Sequence, residues 1–113
     1  MKKITEENLE EFLEYYHNLD NSWIMSVNYN TFDSRIELVL NSVESTSGKT
    51  KVRMVFNDVQ QCDIKEMYSW DYIMNCYLNY IIFEDDEYIC FANDEKDPMI
   101  YIVCEDIEYE EIK

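Results

Sequence analysis

Hydrophobic and polar positions in the first twenty residues follow the period of an α-helix. Glutamates fill most of the other positions, and Thr5 stands where its hydroxyl can cap the first turn. The apolar residues that share one side of this helix are Leu9, Phe12, Leu13 and Tyr16. We predict a helix that begins after Thr5 and ends between His17 and Asp20.

From residue 23 onwards the period changes to two, which is typical of β-strands with one buried face. A loop is predicted over residues 41–49, where the only glycine stands among serines and threonine. Residues 66–76 fit a short helix or a strand equally well. The predicted strands are 23–29, 36–40, 52–56 with an extension towards 64 left open, 77–83, 88–92 and 99–104, with 107–112 continuing the last or adding another.

These elements indicate an α+β fold in one domain, residues 1–113. About six strands should follow one another as an antiparallel meander, with the N-terminal helix packed on one face of the sheet. The face expected to receive the helix bears Trp23, Met25 and Val27.

Composition supports a folded chain of this size. Apolar residues make up 47% of the 113 residues, so enough surface can be buried to offset the loss of chain entropy. The longest apolar runs are too short to span a membrane, and the start of the chain lacks the apolar segment of a signal peptide. We therefore expect a cytoplasmic protein.

Charge is the most informative property of the sequence. The net charge is −16, and residues 84–113 hold twelve acids and two bases. Nucleic acids and anionic membranes are poor ligands for such a surface, because binding phosphate requires cationic counter-charge. A basic protein partner remains, as do cation binding and plain solubility.

Catalytic, metal and cofactor sites are not predicted. The one histidine, His17, has no nucleophile motif around it, and no pair of carboxylates stands out among 25 acids. The four cysteines lie fourteen residues apart, whereas zinc ligands usually pair within four. We expect reduced, unpaired thiols. The acidic turns 84–87 and 93–98 lack the glycine of a calcium loop.

Protein recognition is the function that the acidic C-terminal third favours. Acidic turns steer a basic partner, and aromatic side chains anchor interfaces. The alternative is that these acids only keep the protein soluble and its edge strands unpaired. The residues predicted to bind a partner are Glu84, Asp85, Asp86, Glu87, Asp94, Glu95, Asp97, Glu105, Asp106, Glu108, Trp70 and Tyr72.

The layout of the chain resembles that of a known group of proteins. A short acidic helix precedes a first strand that begins Ser22-Trp23-Ile24-Met25-Ser26, basic strands follow, and the chain closes on the acidic segment 100–112. This layout is similar to that of the small cytoplasmic immunity proteins of bacterial polymorphic toxin systems. The resemblance implies inhibition by binding: the protein would occupy the active site of a toxin, often a basic nuclease, with its acids in place of phosphates.

The main hypothesis is therefore a non-enzymatic inhibitor of a basic protein, which is either a toxin or a host enzyme. The inhibitor itself should be a monomer or a weak homodimer. One alternative is a phage-encoded inhibitor of host defence or a mimic of nucleic acid. Another is a small structural or assembly domain.

Overall fold

The computed structural model describes residues 1–65 and 78–112, which form an antiparallel β-sheet and one α-helix. Helix α1 spans Leu9–Tyr15 and is followed by a 3-10 turn at His17–Leu19. The seven strands are β1 (Lys2–Ile4), β2 (Trp23–Asn30), β3 (Arg35–Ser45), β4 (Gly48–Ile64), β5 (Leu78–Glu84), β6 (Glu87–Ala92) and β7 (Ile100–Ile112). The α+β class is confirmed for the described residues. The segment left open at 66–76 lies outside them.

Strand order departs from the predicted meander. The sheet runs β2-β3-β4-β7-β6-β5, so the C-terminal strand β7 lies between β4 and β6. Strand β1 also pairs with β7, with Ile4 opposite Ile107. This pairing lies beyond Cys104, the last residue of β7 in this direction that pairs with β6. The meander is wrong because β7 pairs along the edge of β4 that β5 would have occupied. The described strands number seven because β1 adds one.

The predicted loop at residues 41–49 is mostly strand. Strands β3 and β4 remain paired until Ser45 faces Gly48, which leaves a two-residue turn between them. Gly48 adopts φ +113°, a conformation that side-chain-bearing residues rarely take, and so it suits this turn. A register shift after Leu40 accommodates Ser42 at φ 55°. The serines and threonine of this segment therefore shape a hairpin.

One face of the sheet carries the hydrophobic core. Phe56 of β4 lies at its centre, fully buried, with Ile36 of β3 and Ile107 of β7 as its cross-strand neighbours. Cross-strand pairs of this kind are the main stabilising unit of a sheet. The core extends along β7 and β6 through Ile102 and Cys90, which face each other.

The helix does not pack where the sequence predicted. Trp23 and Met25 are exposed, and Ile24 between them is fully buried. A register shift between Ile24 and Ser26 breaks the alternation on which the prediction relied. Helix α1 buries Phe12, whose ring centroid lies 4.7 Å from that of Tyr109 in β7. The helix therefore contacts the C-terminal strand.

Local hydrogen bonds set the start of α1, and backbone angles set its end. The Thr5 N–H donates to Asn8 Oδ1 at 2.8 Å and the Asn8 N–H to Thr5 Oγ1 at 3.3 Å, so these residues close a turn before the helix begins at Leu9. Residues 17–19 have positive φ angles and end the helix, because consecutive left-handed residues cannot continue it.

In the described residues, no helix is both long enough and apolar enough to cross a membrane.

Candidate protein-binding surface

The hairpin between β5 and β6 presents four carboxylates at one end of the sheet. Glu84 and Glu87 face each other across the strands, and Asp85 and Asp86 form the turn with φ angles of 50° and 63°. Two-residue hairpin turns require positive φ at both positions, and aspartate tolerates it better than most residues. The local geometry therefore projects this acidic turn into solvent, where Glu84, Asp85 and Asp86 are exposed.

Acids from other segments lie near this turn. Tyr88 of β6 is in register with Cys104 of β7, which brings Glu105 and Asp106 to the same end of the sheet. The Tyr88 hydroxyl donates to the carbonyl oxygen of Ile4 at 2.7 Å and so fixes β1 and the following residues Glu6 and Glu7 nearby. We call this set the acidic end; its members are Glu6, Glu7, Glu84, Asp85, Asp86, Glu87, Glu105 and Asp106.

Two buried groups respond to the acidic end. Burial raises the pKa of Tyr88 to about 12, and the negative charges of Glu7, Glu6 and Asp106 add to this effect. Burial likewise raises the pKa of Cys104 to about 12, with further contributions from Asp106 and Glu87. Four carboxylates from three segments thus act on one small region of the molecule.

Cationic residues balance the acidic end only slightly. Among the described residues, the ion pair found there joins Lys3 to Asp106 at 3.4 Å, and the lysine side chain is 59% exposed. Exposed ion pairs of this type contribute little, because water screens them. Most of the negative charge at this end is therefore not neutralised by a cation of the described residues.

Several acids of β7, among them Asp106 of the acidic end, are engaged within the sheet. Glu110 forms an ion pair of 2.7 Å with Arg53 of β4, and Asn57 donates to Asp106 at 2.7 Å and to Glu108 at 2.8 Å. Arg53 Nε lies 2.9 Å from Glu37 Oε1, close enough for an ion pair but without the alignment of a hydrogen bond. These side chains join β3, β4 and β7 across the outer face of the sheet.

The second acidic loop lies apart from the first. Asp94, Glu95 and Asp97 follow β6, whereas the acidic turn precedes it, so the six residues of β6 separate them by about 17–20 Å. This exceeds the distance of about 8 Å over which salt screens charge at physiological ionic strength. Asp97 also pairs with Lys65. The structure therefore does not bring these three predicted residues to the acidic end, and Trp70 and Tyr72 lie outside the described residues.

A groove of about 910 Å³ lies between α1, β1 and the end of β7. The Phe12, Tyr16 and Tyr109 rings that line it contact one another at centroid distances of 4.7–6.0 Å. The Tyr16 hydroxyl donates to Glu111 Oε1 at 2.8 Å, and burial together with this carboxylate raises the pKa of Tyr16. These polar and aromatic groups are used in packing the helix against the sheet.

The exposure of several apolar side chains in and after β2 was missed by the sequence prediction. Trp23, Met25 and Tyr29 of β2 are 36%, 47% and 44% exposed, and Phe32 in the following turn is 93% exposed. The signal for it was present: residues 21–32 carry no charged side chain in a chain of which 30% is charged. An uncharged segment in which apolar residues alternate with polar ones is also typical of a strand with one buried face. Trp23 and Met25 were therefore predicted to lie on the buried face.

In residues 1–65 and 78–112, no three His, Cys, Asp or Glu side chains come close enough to hold a metal ion. Cys62, Cys90 and Cys104 are free thiols. Cys90 and Cys104 are fully buried and Cys62 is partly exposed.

These thiols should react at different rates with a water-soluble alkylating reagent. We expect Cys62 to be labelled first and Cys90 and Cys104 to be protected. Burial raises the pKa of all three thiols, but the reagent can reach only Cys62, which is partly exposed. Peptide mass spectrometry after timed labelling at mild alkaline pH measures each site separately. Labelling in urea is the control. Native Cys104 that reacts as fast as Cys62 would contradict its burial in the core.

The comparisons with known proteins identify no relative. Neither a family model, nor a curated protein, nor a solved structure matches the chain.

Proposed function

We propose that the protein is a non-enzymatic inhibitor, an immunity-type protein that neutralises a basic toxin such as a nuclease in the cytoplasm. The observation that carries this proposal is the acidic end, where eight carboxylates from three segments lie at one end of the sheet and four of them act on Tyr88 or Cys104. A local field of this sign attracts a basic partner and accelerates the encounter.

The strand pairing and the hydrogen bond that hold the acidic end also support binding. The turn is held by a tightly paired hairpin, and the Tyr88 hydroxyl bond attaches β1 to the same framework. Charges on a preorganised surface cost little entropy to position against a partner. The same carboxylates could replace the phosphates of a nucleic acid in the active site of a nuclease.

The test compares two sets of amide substitutions. The first set is Glu84→Gln, Asp85→Asn, Asp86→Asn and Glu87→Gln. The control set is Glu10→Gln, Glu14→Gln, Asp20→Asn and Asp63→Asn, all exposed and outside the acidic end. Each set removes four negative charges from a net charge of −16, so only their location differs.

We expect the first set to slow association with the captured partner about tenfold and to weaken its salt dependence, since steering charges act mainly on the association rate. The control set should have a much smaller effect. The measurement is surface-bound kinetics at low and high salt against the protein retrieved by pull-down from the native host. Equal effects of the two sets, or an association rate insensitive to salt, would exclude the acidic turn from the interface.

A further inference from the structure

The groove between α1, β1 and the end of β7 is lined by four aromatic rings. Phe12 and Tyr16 are buried, whereas Tyr15 and Tyr109 are only partly buried. The ring centroids of Tyr15 and Tyr16 lie 4.7 Å apart with their planes at 78°, and Tyr109 lies 6.0 Å from Tyr16 at 80°. The partly exposed rings therefore offer aromatic surface, and the face of an aromatic ring attracts a cation.

Hydrogen bonds hold two of these rings in place. The Tyr15 hydroxyl lies 3.0 Å from Ser47 Oγ in the turn between β3 and β4. The Tyr16 hydroxyl donates to Glu111 Oε1 at 2.8 Å. A ligand that binds in the groove would therefore meet side chains that are already ordered, which lowers the entropy cost of binding.

Carboxylates outnumber cations in the lining of the groove. Glu11, Glu110 and Glu111 line it together with one basic side chain, Lys2. Glu110 is paired with Arg53, whereas no cation of the described residues forms an ion pair with Glu11 or Glu111. The carboxylate of Glu111 can accept further hydrogen bonds beside the one from a tyrosine hydroxyl. This lining favours a cation, because an anion would be repelled and an apolar group would leave the carboxylates without solvent.

Among cationic side chains, arginine combines both contacts that the groove offers. Its planar guanidinium stacks on aromatic rings and donates to carboxylates in a fixed fork, which the compact ammonium of lysine cannot do. The groove measures about 910 Å³, near the upper end of the range of about 300–1,000 Å³ for pockets that enclose a small ligand, so it has room for residues beside the arginine. We propose that the groove binds an arginine side chain presented by an extended segment of a partner protein.

The groove is separate from the acidic end. Residues 109–111 of β7 line the groove, whereas Glu105 and Asp106 lie on the other side of Ile107, which pairs with β1. None of the eight carboxylates of the acidic end lines the groove. Arginine binding can therefore be tested without knowing the partner of the acidic end.

Three end-blocked alanine pentapeptides test the groove in the full chain. They differ only in the central residue, which is arginine, its neutral isostere citrulline, or lysine. Titration followed by two-dimensional proton–nitrogen NMR measures each dissociation constant, and the arginine peptide should shift the amide signals of residues 8–16 and 109–111. The citrulline peptide should bind about tenfold more weakly, and the lysine peptide about threefold more weakly.

Charge and ring can be removed separately. Glu11→Gln combined with Glu111→Gln should weaken binding of the arginine peptide about tenfold, and Tyr15→Leu, which keeps the charge, about threefold. Glu11 and Glu111 are exposed, so their substitution should not disturb the fold. The matched control is Glu10→Gln combined with Glu14→Gln, which removes the same charge from exposed positions of α1 that do not line this groove. It should bind the peptide as the wild type does.

The four amide substitutions in the acidic turn should leave the affinity for the arginine peptide unchanged, which separates this result from the test of the proposed function. Equal binding of the arginine and citrulline peptides would overturn the proposal, since the charge would then play no part. Equal binding of the arginine and lysine peptides would also overturn it, since only the net charge of −16 would then account for the attraction. So would an arginine peptide that does not bind, groove variants that bind as the wild type does, or a control or acidic-turn variant that weakens binding as much as they do.

Discussion

Phe56→Ala should lower the free energy of unfolding by about 3–5 kcal/mol, the largest effect expected of any single substitution considered for this protein. Phe56 is fully buried in β4, and its neighbours Ile36 and Ile107 belong to strands on either side. Removing the ring leaves a cavity that three strands border, and strands fixed by backbone hydrogen bonds relax poorly into it. Urea unfolding followed by circular dichroism measures the loss.

Phe32→Ala is the matched control for Phe56→Ala. The same atoms are removed at a side chain that is 93% exposed, so the expected change is below about 0.5 kcal/mol in dilute solution. The difference between the two variants isolates the contribution of burial. Similar losses for both would show that the core face of β4 is not the centre of the fold.

Ile4→Ala should destabilise the protein by about 2–5 kcal/mol, the usual cost of truncating a buried isoleucine. Ile4 is 1% exposed, lies opposite Ile107 and accepts a hydrogen bond from the Tyr88 hydroxyl through its carbonyl oxygen. If β1 can detach while the rest of the sheet stays folded, the loss of unfolding free energy cannot exceed the free energy with which β1 binds to β7. Hydrogen exchange of the β1 amides, measured beside urea unfolding, distinguishes detachment from global unfolding.

Lys2→Ala provides the comparison within the same strand. Lys2 is exposed, and its substitution should leave both the stability and the exchange of β1 nearly unchanged. If Ile4→Ala behaved like Lys2→Ala, strand β1 would contribute nothing to the sheet, and its pairing with β7 would be wrong.

Local patterns predicted the strands that alternate cleanly. Ile36, Leu38 and Leu40 of β3 are fully buried at every second position, and the acidic turn 84–87 correctly marked a hairpin. These features depend on neighbours in sequence: a strand with one buried face needs period two, and a tight turn needs residues that tolerate positive φ.

The pairing between strands that are distant along the chain could not be predicted from local sequence patterns. Strand β1 has three residues, too few for a period, and it exists because β7 offers an edge where β6 ends. The position of β7 between β4 and β6 depends on contacts such as Arg53 with Glu110, more than fifty residues apart. A bulge between Ile24 and Ser26 places Val27 on the face of Ile24, opposite that of Trp23, because one extra residue exchanges the faces of a strand.

The sequence predicted only part of the candidate site, because the residues of the site come from segments that are distant along the chain. Sequence identified the acids of residues 84–87 as a surface feature, and the structure adds Glu6 and Glu7 from the other end of the chain. Sequence also grouped 84–87 with 94–97 because they are close along the chain. A strand between two turns places them at its opposite ends, so proximity in sequence was misleading here.

The position of β7 has a consequence for synthesis of the protein on the ribosome. Strand β7 emerges after both of its neighbours, β4 and β6, yet it is the strand that joins them. The hairpins β3–β4 and β5–β6 can form earlier, but each keeps an open edge until residues 100–112 leave the exit tunnel. Pairings between such distant segments fold slowly and leave hydrophobic strand edges exposed meanwhile. The nascent chain therefore passes through a stage in which the edges of β4 and β6 are both unpaired.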